Sequence, residues 1–157
     1  MTTMNELVQL ASNGQMMPDA PIIASRFTDI DASLGRVWAA LIDVPRWESW
    51  HPYLANAALA GPFIAGSRLT YGGFIKHHLE IAKVTDGELV MLCGTMAGYK
   101  GITRWDISEA DNGKTRVAFG ECSSGFLIGK LYSNEKLGSH LQGWLDALKD
   151  EAERSSY

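Results

Sequence analysis

Four polar side chains of this 157-residue chain fall in phase with apolar residues marking the inner side of a β-sheet: Tyr71, His77, Thr103 and Glu121. Their types could handle protons. An ionised carboxylate in an apolar enclosure is costly, so Glu121 must find a partner or keep its proton. Tyr71 and His77 are chemically suited to that partnership. The three form a general acid/base set, in which Glu121 or His77 moves a proton and Tyr71 polarises a carbonyl. Two other placements of Glu121 stay open: at a rim, paired with an Arg, or in water after a slip of phase at Gly120.

A second group is rich in rings. Helical spacing of Val37, Trp38, Leu41 and Ile42 stops at Pro45, and Trp47, Trp50 and His51 follow at once, before Pro52 turns the chain into an extended run. Such rings either line a pocket or plug the end of a core. His51 could orient a ligand at a cavity mouth or satisfy a nearby carbonyl. Trp105 and Trp144 suit core and lining equally, Met91 and Met96 could form an adaptable wall or fill gaps, and His140 sits near the edge of a helical apolar stripe, where a solvated flank is the plainer reading.

These groups need elements to position them. Period-two alternation places Leu69, Tyr71 and Gly73 on one face, with His77, Leu79 and Ile81, then Thr103, Trp105 and Ile107, then Val117, Phe119, Glu121 and Ser123. His78, Glu80, Arg104, Asp106 and Arg116 fall on the other face, and Lys83 breaks the phase of its own segment. From Glu88 both alternations are apolar, Val90 and Leu92 against Leu89, Met91 and Cys93, and phasing fails there. Strands are expected at 22–30, 54–60, 67–75, 76–85, 88–96, 101–109 and 114–123. Gly72-Gly73, Asp86-Gly87, Gly98 and Asn112-Gly113 supply the turns, the Asp-Gly and Asn-Gly pairs as two-residue hairpins. Tight connections imply an antiparallel meander. Asp31-Ala32-Ser33 offers caps for a helix through about Asp43. A long helix from Asn134 to Arg154 carries Leu137, Leu141, Trp144, Leu145, Leu148 and Ala152 as one stripe, and no other element is long enough to cover the sheet's buried face. The expected class is α+β: a curved seven-stranded antiparallel sheet wrapped round a C-terminal helix, with short helices between the first two strands.

Residues 1–20 read as an arm preceding a single domain over 21–157. Thr3-Met4-Asn5-Glu6 has the form of a capping box, so a short helix ending near Gly14 is expected. A lid, a homodimer contact or an arm packed on the surface are the roles open to it.

The segment Val37–Pro52, with the element order around it, resembles the START-like or Bet v 1-like helix-grip superfamily, in particular its polyketide cyclase/dehydrase branch. The resemblance extends over about residues 21–154. It implies a cavity between sheet and helix for an apolar molecule such as a lipid, polyketide, hormone or quinone. The expected lining is Trp47, Trp50, His51, Leu69, Tyr71, His77, Leu79, Met91, Thr103, Trp105, Phe119, Glu121, Leu137, Leu141 and Trp144. The first functional expectation is binding of a small hydrophobic molecule, aromatic or polycyclic ones included. The alternative is an enzyme catalysing aldol cyclisation and water loss in the same cavity, with Tyr71, His77 and Glu121 as its catalytic groups. A third is a protein-interaction or chaperone-accessory domain, which would expose an apolar patch instead.

Composition excludes other classes. A net charge of -4, with Lys and Arg scattered singly, argues against nucleic acid as a partner. No apolar run is long enough to span a bilayer, and no basic segment with an apolar run opens the chain, so a soluble cytoplasmic protein is expected. His77 and His78 are adjacent on a strand and point to opposite faces, so no metal is expected. Cys93 and Cys122 read as buried free thiols. There is no G-x-S-x-G elbow and no glycine loop between strand and helix, so hydrolase and nucleotide chemistry lack support and no cofactor is expected.

Overall fold

Period-two alternation over residues 99–125 becomes the two longest strands of the molecule, and the remaining elements arrange themselves about that pair. The computed structural model describes residues 2–96, 98–126 and 128–154. In chain order the elements are α1 (Met4–Ser12), β1 (Ile22–Ile30), α2 (Leu34–Ile42), α3 (Trp47–Trp50), β2 (Ala58–Ala60), β3 (Arg68–Tyr71), β4 (His77–Thr85), β5 (Leu89–Met96), β6 (Tyr99–Glu109), β7 (Thr115–Gly125), α4 (Ile128–Leu131) and α5 (Asn134–Arg154). The strands form one antiparallel sheet in the order β1-β7-β6-β5-β4-β3-β2. This is the expected α+β helix-grip architecture.

Local chemistry explains the helix boundaries. Ser33 caps α2 by accepting from the Arg36 amide, and Pro45 ends it in a turn of 3-10 helix over Val44–Arg46. The chain then enters α3 directly. Helix α5 buries Leu137, Leu141, Trp144, Leu145, Leu148 and Ala152 against the sheet, the stripe its spacing predicts. Where α5 passes β1, the Arg26 guanidinium lies over Gly138, in the space a Cβ would occupy. The Asn134 side chain fixes the other edge of the approach by accepting from the Ile23 amide at 2.9 Å.

Two cores result. The larger lies between the inner face of the sheet and α2, α3 and α5. The second lies on the outer face, where α1 packs Leu7 and Ala11 against Met91, Cys93, Ile102 and Cys122. The capping box of α1 is present, with Thr3 and Glu6 satisfying each other's amides. Both faces of β5 are therefore buried, which is why its alternation could not be phased. The phase break at Lys83 also has a cause: register shifts between Ile81 and Lys83, a β-bulge. Cys93 and Cys122 are free and buried in the outer core, with Ile102 between them in register, and burial pushes the Cys93 thiol up to about 12.

Several boundaries differ from expectation. The strand expected over 54–60 is confined to Ala58–Ala60, and that over 67–75 stops at Tyr71, because Gly72 at φ +116° begins a tight turn. In contrast β6 begins two residues early, at Tyr99, and β7 runs two residues late, to Gly125. The hairpins at Asp86-Gly87 and Asn112-Gly113 are longer than two residues, since the flanking pairs are Thr85 with Leu89 and Glu109 with Thr115.

Candidate functional site

At one end of the sheet the inner face is bare. Gly94 of β5 lies directly opposite Gly101 of β6, and neither projects a side chain towards α5. A cavity of about 370 Å³ opens above them. It is walled by Leu79, Leu137 and Ile128, and by Tyr71 and His77 at the end of the β3–β4 hairpin. Tyr99, Thr103 and Glu121 supply polar groups on the β6–β7 side, and Tyr132, Phe126 and His140 complete the mouth.

Glu121 is the centre of its polarity. It pairs in register with Thr103, and the phase expected through Gly120 holds. Its Oε1 accepts a very short hydrogen bond from the Tyr99 hydroxyl and a longer one, 3.4 Å, from Ser123 Oγ. Tyr99 Oη and Ser123 Oγ are themselves 2.6 Å apart. The geometry depends on Gly101, because the Tyr99 ring folds back along its strand over the space a Cβ would occupy. Burial raises the Glu121 pKa against these hydrogen bonds, so the carboxyl tends to hold its proton. Burial first, and Glu121 second, hold the Tyr71 and Tyr99 hydroxyls well above the ordinary phenol range. Tyr71 and His77 form a cross-strand stack, with ring centroids 4.4 Å apart and planes 11° from parallel. Burial lowers the His77 pKa, keeping the imidazole neutral and able to accept a proton.

The cavity thus collects Tyr71, His77, Leu79, Thr103, Glu121 and Leu137 of the expected lining. The other expected residues lie elsewhere. Met91 faces the outer core, because its alternation on β5 is the one covered by α1. Leu69, Trp47, Trp105, Phe119 and Leu141 are buried in the inner core, whose rings pack on one another instead of on a cavity. Trp47 meets Trp105 and Trp144 edge-on at 5.9 and 5.5 Å, and Phe119 stacks on Trp144 at 5.5 Å. Trp50, His51 and Trp144 border a separate groove along α5, which meets the cavity at His140.

Sequence reasoning missed Tyr99, Tyr132 and Ser123's role, and it set His140 aside as solvated. Tyr99 was recoverable: the phase of Thr103, carried back through Gly101, reaches it. Tyr132 follows a helix of a single turn that has no periodicity to read.

His51 does not satisfy a carbonyl as one reading of the His-Pro pair would have it. Its Nδ1 accepts from the Tyr53 amide at 3.2 Å, and its Nε2 is buried without a hydrogen-bond partner. Burial, with His140 as a smaller repulsive neighbour, lowers its pKa from 6.5 to about 4. The folded protein therefore binds this proton more weakly than the unfolded chain does. The protonation-linked cost of His51 is absent above about pH 6.5 and grows as pH falls towards 4, up to about 3 kcal/mol. Urea denaturation at pH 7 and pH 4 is expected to show an acid loss larger in the wild type than in His51→Phe by up to about 3 kcal/mol. An equal loss in both would assign the acid sensitivity to other groups.

Among the described residues no three His, Cys, Asp or Glu side chains are grouped to hold a metal ion, and no helix is long and apolar enough to cross a membrane.

The molecule's fold recurs in solved structures at low sequence identity. A protein of Helicobacter pylori described as hypothetical shares 18% identity with a TM-score of 0.72, covering 86% of this chain and 90% of its own. A START superfamily protein from Mycobacterium smegmatis shares 13% at a TM-score of 0.71, covering 84% and 97%. Ara h 8.0201 shares 10% at 0.65, covering 83% and 96%. No curated protein matches the chain significantly. The family model described as polyketide cyclase/dehydrase and lipid transport matches residues 21–153. With the helix-grip sheet, the spanning helix and the space between them, this match places the chain in the polyketide cyclase/dehydrase and lipid transport family.

Proposed function

We propose that the protein is a container for a small, mostly apolar molecule held between the sheet and α5. The observation that carries this reading is the cavity floor: two cross-paired glycines clear a space of about 370 Å³ whose walls are mainly apolar. That volume is near the lower end of ordinary ligand pockets, about 300–1,000 Å³, and suits a small ring system better than a two-chain lipid. A protonated Glu121 beside Tyr99 can donate to a carbonyl or phenol oxygen, so a neutral ring ketone or quinone is favoured over a carboxylate. The family's description supports an apolar cargo or substrate of this general kind. Native mass spectrometry of the purified protein, followed by a thermal-shift screen of aromatic polyketides, quinones, sterols and fatty acids, tests the reading. Stabilisation by ring ketones or quinones is expected. A protein that is empty and indifferent to all four classes would sink it and favour the interaction-domain alternative.

A second reading rests on the same polar groups. The Glu121–Tyr99–Ser123 chain could protonate a carbonyl oxygen while neutral His77 takes the adjacent carbon-bound proton, as cyclisation with water loss requires. Two variants separate the readings. In a container, Glu121→Gln keeps ligand affinity within about tenfold, since an amide still donates and accepts. In an enzyme, Glu121→Gln and His77→Ala keep binding but lose turnover by about 10²–10⁴-fold.

A further inference from the structure

The end of the molecule where the cavity opens differs from the rest of the surface. Phe74 is fully exposed at the tip of the β3–β4 hairpin, beside Ile75 at 57% exposure, and Phe126 in the turn after β7 is 88% exposed. The hairpin tip is held in place. Gly72 takes a φ of +116°, its amide donates to the Ala55 carbonyl at 2.7 Å, and Asn56 Nδ2 donates to its carbonyl at 3.3 Å. Burial would be the ordinary fate of such rings, and here a braced turn presents them to solvent.

Charge is distributed along the same axis. The segments bordering the tips, residues 70–79, 122–126 and 128–134, contain no Asp or Glu, yet supply Lys76 and Lys130 beside the apolar tips. The two hairpins at the opposite end carry Asp86, Glu88, Glu109 and Asp111 with Lys114, and the far end of α5 carries Asp150, Glu151 and Glu153, the last two paired with Arg154 and Lys149. Carboxyls lie towards the cavity end as well, Glu6 beside Lys100 and Glu80 on β4 among them. Glu121 is inside the cavity, where burial raises its pKa, Glu48 accepts from the Asn56 amide at 3.0 Å, and Glu135 is followed by Lys136 in the first turn of α5.

We propose that this end docks on an anionic lipid surface, with Phe74, Ile75 and Phe126 inserted at the interface and Lys76 and Lys130 at the headgroups. Separate apolar tips with the cavity mouth between them make a poor match for a flat protein partner, whereas a bilayer interface accommodates each tip individually. Lysines flanking the tips add attraction to anionic headgroups. Docking brings the cavity mouth, which Phe126 itself lines, against the membrane. The proposal stands whether the cavity's occupant is a cargo or a substrate.

Co-sedimentation of the full chain with vesicles tests it. One set is phosphatidylcholine alone, the other equal parts phosphatidylcholine and phosphatidylglycerol. Binding to the mixed vesicles is expected to be roughly tenfold or more tighter, and to weaken with salt. The double variant Phe74→Ser/Phe126→Ser should lose roughly tenfold or more on mixed vesicles, and Lys76→Glu/Lys130→Glu should erase the preference for phosphatidylglycerol. All four positions are exposed, and unchanged melting temperatures confirm that the variants fold. In Phe74→Trp, indole emission should shift to the blue when mixed vesicles are added. The proposal is overturned by wild-type protein that stays in the supernatant with both vesicles, or by a Phe74→Ser/Phe126→Ser variant that binds like the wild type. It is also overturned if that variant instead converts a dimer to a monomer in light scattering, which would assign the tips to a second copy of the chain.

Discussion

Gly94→Leu is expected to cost roughly 100-fold or more in affinity for a ligand found by thermal-shift screening, with little change in the melting temperature of the empty protein. The position is on the cavity floor, in register with Leu79 on one side and Gly101 on the other. A Cβ there would meet only the Leu79 side chain at 3.3 Å, and the nearest backbone atom, the His78 carbonyl oxygen, at an ordinary 3.5 Å. The leucyl side chain can therefore be accommodated only by entering the space that the ligand would take. Gly101 is a less suitable probe. A Cβ there would lie 2.9 Å from the Cys122 carbonyl oxygen and 3.3 Å from Tyr99 Oη, so binding and stability would fall together. Titration calorimetry on Gly94→Leu decides the matter. Undiminished affinity would place the ligand somewhere other than between the sheet and α5.

Trp47→Ala should be the most destabilising single truncation in the inner core, by about 3–5 kcal/mol. That is a large share of the roughly 5–15 kcal/mol by which a domain of this kind is stable. The indole is 2% exposed, donates from Nε1 to the Leu41 carbonyl at 3.0 Å, and is set edge-on against Trp105 and Trp144. Removing it leaves a void, an unpaired carbonyl at the end of α2 and two rings without their edge contact. Trp47→Phe keeps most of the ring and should lose considerably less. Urea denaturation measures both. At temperatures where Trp47→Ala is folded, its ligand affinity should stay within a few-fold of wild type, because the ring faces the core and not the cavity. A loss comparable with that of Gly94→Leu would return Trp47 to the site.

The two results also show what the order of residues could disclose. Thr103, Glu121 and Leu137 were legible because a strand or helix with one buried face repeats its inward positions at a fixed interval. That rule fails where both faces are buried. Met91 was assigned to the cavity because β5 is apolar on both alternations, and nothing within β5 says which belongs to α1. Side-chain type failed differently for Trp47, Trp105, Trp144 and Phe119. A large ring satisfies a pocket and a core equally, and only its neighbours in space decide between them. The cavity itself was marked by residues that read as punctuation. Gly101 looked like the start of a strand, and its pairing with Gly94 depends on the register of β5 against β6. With the strand begun at Gly101, Tyr99 fell outside it, and the chief hydrogen-bond partner of Glu121 went unseen.

The outer core under α1 has a bearing on how such a site could change over generations. Cys93 and Ile102, which face α1, adjoin Gly94 and Gly101, which face the cavity. At this point the wall is one strand thick, with no side chain on the inside to absorb a displacement. A methyl group gained or lost at Leu7, Ala11 or Met91 would be felt on the other side as a small bow in the floor. Selectivity for the bound molecule can then drift through substitutions that never touch it, and a designer wishing to reshape the cavity has a second surface to work from, with the lining left intact.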